Sequence, residues 1–290
     1  MAVNINGDTG IDKVQPGTID SADFGPGVIT APAIASGAVT SAKLDTSLSI
    51  PGTMTATSFS GDGSSLTGIA GGFSNMDVFT SSGTWTNPGN VTKVKVTVVG
   101  GGGGGGGGSH TGLVGRGVSG GVGGGGGGSA IEVIPFPSAT NVPVTIGSGG
   151  SAGTGGNTTG TDGGTGGTTS FGAYCSATGG GGGDGSGKSA SFIPAFGGSG
   201  SGGTINFGGA DGQVPNMYAT DSYNGGNGGN SMFGGAGRGG LPVNPGPGSI
   251  PYYGGLPGNA YGAGGGGGRT ASPYSTPGGA GSSGVVIVEY

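Results

Sequence analysis

The chain has 290 residues, 85 of them glycine, with 31% hydrophobic and 7% charged residues. Glycine at about four times its usual share excludes an ordinary globular core, and so little charge excludes a charge-solvated disordered chain. The net charge of −5 comes from 13 acids and 8 bases without a basic patch, which argues against nucleic acid as a partner.

The N-terminus, MAVNINGDTGIDKV, lacks the basic region and apolar run of a signal peptide, and no stretch approaches ~20 apolar residues. The expectation is synthesis in a cytoplasm without a standard export signal. Next comes an internal repeat: PGTIDSADFG (16–25), PGVITAPAIA (26–35) and SGAVTSAKLD (36–45) align without gaps. Glycine recurs at Gly17, Gly27 and Gly37. Apolar residues recur at Ile19, Ile29 and Val39 and again at Phe24, Ile34 and Leu44. So thin a stripe cannot form a monomeric core, and a regular short repeat buries it against something else, most simply identical neighbours. These six residues are therefore candidates for a trimer core. LSIPGTMTATSFSGDGSSLTGIAGG (48–72) follows, its TMTATSF piece alternating as a strand does.

From residue 76 the pattern reads as a β domain. MDVFT, GTWT and KVKVTVV (93–99) are predicted strands, with NPGN as a turn that supplies a fixed proline φ and a permissive glycine. AIEVIPF (130–136) and NVPVTIG (141–147) are predicted as a further strand pair, TTSFGAYCSAT (168–178) as another strand, and GVVIVEY (284–290) as the last. Trp85 is read as a core anchor and Cys175, the lone cysteine, as a small buried side chain.

Between 100 and 284 the chain is dominated by glycine, in pure runs (100–108, 123–128) or broken forms such as NGGNGGN (224–230), with no strict collagen period. Both flanks look tied into a sheet, so the block is expected to be ordered rather than a linker. Ordering each residue costs roughly 1–2 kcal/mol, and few side chains are present to offset it. Dense backbone contact must do so: packed polyglycine-II-type helices, joined by Cα–H···O contacts, in which nine glycines would span about 28 Å. The alternative is a disordered glycine tract.

Chemistry is sparse. His110, the only histidine, lies in a glycine-rich stretch without a triad around it, and the carboxylates Asp162, Asp184, Asp211 and Asp221 are scattered as turn formers. No clustered metal ligands, cofactor motif or catalytic pair is legible, so the chain is not read as an enzyme, and no metal or cofactor is expected. Recognition has better material. Aromatic residues are set singly among glycine and asparagine between 192 and 274. Each offers a flat apolar face to a ligand or a cover for glycine helices. Those beside turn residues, Tyr218, Tyr223, Tyr252 and Tyr253, are the candidate receptor-binding residues. Asn216, Asn224, Asn227 and Asp221 are candidates for hydrogen bonds to sugar hydroxyls.

Two stretches carry a family resemblance. The decad repeats followed by TATSFSGDGSSLTGI resemble shaft and collar segments of bacteriophage tail fibres and related virion appendages. FTSSGTWTNPGNVTKVKVTVVGGGGGGG through GVVIVEY resembles the glycine-rich C-terminal domain common in tail fibre proteins. The glycine block is similar, more weakly, to the tip adhesins of T-even long tail fibres. The resemblance implies an all-β protein with a repetitive trimeric fibrous shaft and a glycine-rich β domain. Its parts would be a particle-docking segment (1–15), a decapeptide-repeat shaft (16–47), a collar (48–72) and a distal domain (76–290). It further implies a virion protein, a homotrimer that contacts other virion proteins through its N-terminus. Its distal domain would bind a host-surface glycan or outer-membrane component during attachment. The alternative is a purely structural head fibre or capsid spike. A depolymerase tailspike would need a longer, charge-bearing β-helix, and a secreted matrix protein would need an export signal.

Overall fold

The structure, a computed structural model, describes Thr53, Thr55, Phe73 and residues 75–290 except 90, 110–119, 136–140, 188–192, 220–221, 242–253 and 272–273. The backbone divides into two units, Met1–Gly68 and Ile69–Tyr290. The candidate trimer-core residues Ile19, Phe24, Ile29, Ile34, Val39 and Leu44, with the docking and shaft segments, lie outside the described residues. So do Asp221, Tyr252, Tyr253 and His110.

The described residues contain no helix, and the fold class is all-β. In chain order the strands are β1 (Met76–Phe79), β2 (Gly83–Thr86), β3 (Lys93–Val99), β4 (Ser129–Pro135), β5 (Asn141–Thr145), β6 (Thr169–Phe171) and β7 (Cys175–Ala177). They continue as β8 (Gly200–Ser201), β9 (Ile205–Phe207), β10 (Asn216–Ala219), β11 (Ser222–Asn224), β12 (Thr270–Ala271), β13 (Tyr274–Ser275) and β14 (Val285–Glu289). They form three antiparallel sheets, ordered β1-β14-β3-β4-β9, β2-β5-β6-β7-β8 and β10-β11-β12-β13.

The first two sheets pack face to face. Alternation puts Val94, Val96 and Val98 of β3 and Val286 and Val288 of β14 inward, against Val142, Val144, Phe171 and Ala177 of the second sheet. Trp85 is 1% exposed in this core, with ring centroids 6.1 Å from Phe171 and 5.9 Å from Tyr290. Its indole N–H donates to an Asp77 carboxylate oxygen at 3.1 Å, which answers the buried polar tip. The predicted clamp is present, since β14 pairs with β3 through Val286↔Val98 and Val288↔Val96. It also pairs with β1, and Asn75 and Tyr290 exchange backbone hydrogen bonds beyond it.

Two local predictions resolve differently. The strands around 130–136 and 141–147 do not pair with each other; β4 joins β3 and β9, while β5 joins β2 and β6. The single strand expected over 168–178 is a hairpin, β6–β7, turned at Gly172 with φ 53°, a conformation a side chain disfavours. The NPGN turn is as read, with Gly89 at φ 103°. Asn87 holds it by accepting from the Gly89 amide at 2.9 Å and donating to the Val91 carbonyl at 2.7 Å.

The glycine runs between these strands are joined by amide hydrogen bonds to the carbonyls of neighbouring segments. In the run 100–108, successive amides address three neighbours in rotation. Gly100, Gly103 and Gly106 donate to Gly128, Gly125 and Val122; Gly101, Gly104 and Gly107 donate to Gly167, Gly164 and Thr161. Gly102, Gly105 and Gly108 donate to Ser282, Gly279 and Thr276. The carbonyls of the same run accept from three further segments, around 150–156, 180–186 and 265–268. Six segments thus surround one run, at N···O distances of 2.7–3.1 Å. The runs 121–128 and 262–268 are bonded to six segments in the same manner, and the three runs bond to one another. A Cβ anywhere in 100–108 would overlap a neighbouring backbone carbonyl, which explains the pure glycine.

At the rim of this bundle every third residue faces solvent: Ser148, Ser151, Thr154 and Asn157 in one segment, Asp162, Thr165 and Thr168 in the next. Rim side chains take the place of the missing outer neighbour. Asp162 accepts from the Gly185 amide and Asp211 from the Gly197 amide, both at 2.8 Å. Asn230 accepts from the Ala236 amide at 3.0 Å. The aspartates read as turn formers at 162 and 211 are therefore bridges between adjacent segments.

Candidate functional site

The bundle has two distinct ends. Gly100, Gly128 and Gly284 lie next to β3, β4 and β14, so the near end is fused to the sheets. At the far end Gly108 bonds to Thr276 and Gly156, and Gly107 bonds to Thr161 and Ser186. The four-stranded sheet adjoins this far end, where the Ser109 amide donates to the Thr270 hydroxyl at 3.0 Å.

Four of the eight candidate recognition residues belong to that sheet. Asn216 and Tyr218 are in β10, Tyr223 and Asn224 in β11, with Asn216 opposite Asn224 and Met217 opposite Tyr223. Tyr223 is half-buried. The Asn224 side-chain oxygen is buried and has no hydrogen-bond partner among the described residues. Asn227 sits on the rim with both ends of its amide engaged. It donates to the Gln213 side-chain oxygen at 3.0 Å and accepts from the Gly239 amide at 2.9 Å. Asp221 and the pair Tyr252 and Tyr253 lie outside the described residues, next to flanks that are described. Residues 222 and 241 belong to β11 and to the stretch after Gly240, whose amide bonds to Gly267.

Two open grooves lie on the flanks of the bundle. One, of about 440 Å³, has glycine backbone as its floor and Ile193, Phe196, Thr165 and Asp184 on its walls. The other, of about 410 Å³, lies between Phe233 and Tyr261 beside Asn259 and Ser283. Sequence reasoning ranked Phe196, Phe233 and Tyr261 below the tyrosines beside turns. All three are exposed, Phe196 by 65%. The available signal was that each follows or precedes glycine at the edge of a run.

The titratable groups that depart from ordinary values are in the sheets. Burial, and then the Glu132 charge, push the Cys175 thiol up to about 11. Burial, then the charge of Asp77 and a hydrogen bond to it, raise the Tyr290 phenol. Among the described residues no three His, Cys, Asp or Glu side chains are grouped to hold a metal ion. No curated protein matches the chain. The model of the glycine-rich domain family matches residues 77–290, from the clamp strand β1 through β14 and including every glycine run, and the chain belongs to that family.

Proposed function

We propose that this is a homotrimeric virion fibre protein of the phage tail fibre type. Its glycine-rich domain is a receptor-binding head, which engages a host-surface glycan or outer-membrane component during attachment. In this reading the glycine runs are polyglycine-II-type helices. A three-residue hydrogen-bond rotation with six neighbours is what such helices produce when packed, and it supports the assignment. Residues 16–72 form the trimeric shaft and collar, and residues 1–15 dock to the particle.

The observation that carries the reading is the polarity of the domain. β1 lies in the sheets at one end, whereas the four-stranded sheet that holds Asn216, Tyr218, Tyr223 and Asn224 adjoins the opposite end of the bundle. A scaffold held so tightly by backbone bonds lets its end loops vary at little cost to the fold. Three copies turn weak single contacts into firm attachment by effective concentration.

The test is binding of the full-length protein to intact cells of its host, beside a chain ending at residue 72. Binding by the full chain alone supports a receptor-binding head. Equal absence of binding sinks it and leaves the structural head fibre or capsid spike as the better account.

A further inference from the structure

The sheet β1-β14-β3-β4-β9 gives one face to the core; on the other, Val99 and Val285 are fully buried next to the glycine bundle and Thr97 is 5% exposed, while the rows farther from the bundle reach solvent. Register places Val78, Ile287, Thr97, Ile131 and Ile205 in one row across all five strands on the other face. The next row runs from Met76 through the Glu289–Lys95 ion pair, 2.7 Å long, to Val133. Met76 is 62% exposed, Val78 47%, Ile205 48% and Val133 45%. An antiparallel sheet with one solvated face ordinarily alternates apolar inward and polar outward, whereas this outer face mixes exposed Met76, Val78, Val133 and Ile205 with Thr97 and the Lys95–Glu289 pair. Five strands about 4.8 Å apart and some five residues long give this face an area of roughly 400 Å², in the range of the largest surface patch of a typical monomer, a patch that is often functional.

The chain itself says what covers it. Phe73, which is exposed, precedes Met76 by three residues, at most about 10 Å of chain, so the segment N-terminal to it is joined to this face at the edge strand β1. That segment acts as a tether. We infer that the outer face of this sheet is a self-association surface, turned towards the axis of the proposed trimer and covered there by the neighbouring copies of the chain. This rests on the proposed self-association of residues 16–47. The patch is about half of what one partner contributes to a stable interface, so it requires that tether, which holds the copies at high effective concentration. The Lys95–Glu289 pair on this face gives the contact its polar register point.

The experiment uses the full chain and records native mass by light scattering. Three single-cysteine probes are added in turn: Met76→Cys beside the tether, Val133→Cys across the face, and Ala210→Cys on the exposed bundle rim as the control. The buried native Cys175 stays unreactive. The expected result is an oligomer in which Val133→Cys reacts with a polymer-linked maleimide at least ~10-fold more slowly than Ala210→Cys. Met76→Cys is then joined between chains by a short bis-maleimide, and adding Val78→Lys with Ile205→Lys restores the reactivity of Val133→Cys. An oligomer in which Val133→Cys reacts as fast as the control overturns the inference and leaves the proposed trimer standing. Slow reaction without any link between chains also overturns it, because the chain's own N-terminal segment then covers the face. A monomeric wild-type chain removes both the inference and the trimeric reading.

Discussion

A methyl group added at Gly104 would overlap the carbonyl oxygen of Ser151, and one at Gly103 that of Gly181. Neither neighbour is a side chain that can swing away; both are backbone held by hydrogen bonds on each side. Gly104→Ala is therefore expected to cost about 3 kcal/mol or more, or roughly 6–12 °C in Tm for a domain of this size, read by calorimetry. Thr165→Ala, at an exposed rim position, is expected to change Tm by about 1 °C at most. Cys175 provides a residue-level test in pH. Its thiol ordinarily titrates near 9.0 and is held up to about 11 in the fold, so the fold favours the protonated form. That contribution is complete below pH 9 and is lost as pH rises towards 11. The urea midpoint should fall over this window, and Cys175→Ala should fall less steeply. The Tyr290 phenol, raised in the same direction, contributes a further decline in both proteins.

At the scale of elements, each rim segment replaces an outer backbone neighbour with its own side chains. Asn227→Ala removes bonds to Gln213 and Gly239 and leaves the Gly239 amide without its partner. A loss of about 1–2 kcal/mol is expected from denaturant unfolding, with Asn227→Asp losing less because the oxygen remains. Strand β14 carries a different load, since it lies between β1 and β3 and links the end of the chain to its entry. The strands with alternating valines, β3 and β14, were legible because period two with β-branched residues has one good structural outcome. The short strands β8 to β13 were not. GS, INF, SYN and TA carry no periodicity, and they pair only because the bundle brings their ends together. The rim rule was written in the sequence as SGGSAGTGGN and NGGNGGN but could not be read there. A solvent-facing third residue means nothing until the inner neighbours are known.

For the molecule as a whole, the separation between a sheet end and a loop end predicts that binding and stability can be altered independently. Tyr252→Ala with Tyr253→Ala is expected to lower cell binding of the full-length protein by at least ~10-fold, since avidity compounds each weakened site, while Tm stays within about 1 °C. A fall in Tm with unchanged binding would place these tyrosines in the scaffold instead. Asn227 sets the counterpart: its amide is committed to the rim, so its replacement should be felt in stability before binding.

Composition and local pattern alone determined that this chain orders its glycine block, that its fold is all-β and that Trp85 and Cys175 are interior. These follow from strand alternation, from the alternating strands at both flanks of the glycine block, and from the burial preferences of an indole and a lone thiol. Tertiary structure decided which amide bonds to which carbonyl, and so which glycines have no room for a Cβ and which aspartates bridge segments. It also decided that Met76, Val78, Val133 and Ile205 share the outer face of the first sheet and that Asn216, Tyr218, Tyr223 and Asn224 share one small sheet. Those properties depend on residues such as Gly104, Gly164 and Gly183 meeting across long stretches of chain. Runs such as 100–108, in which every residue is glycine, carry no label for their partners.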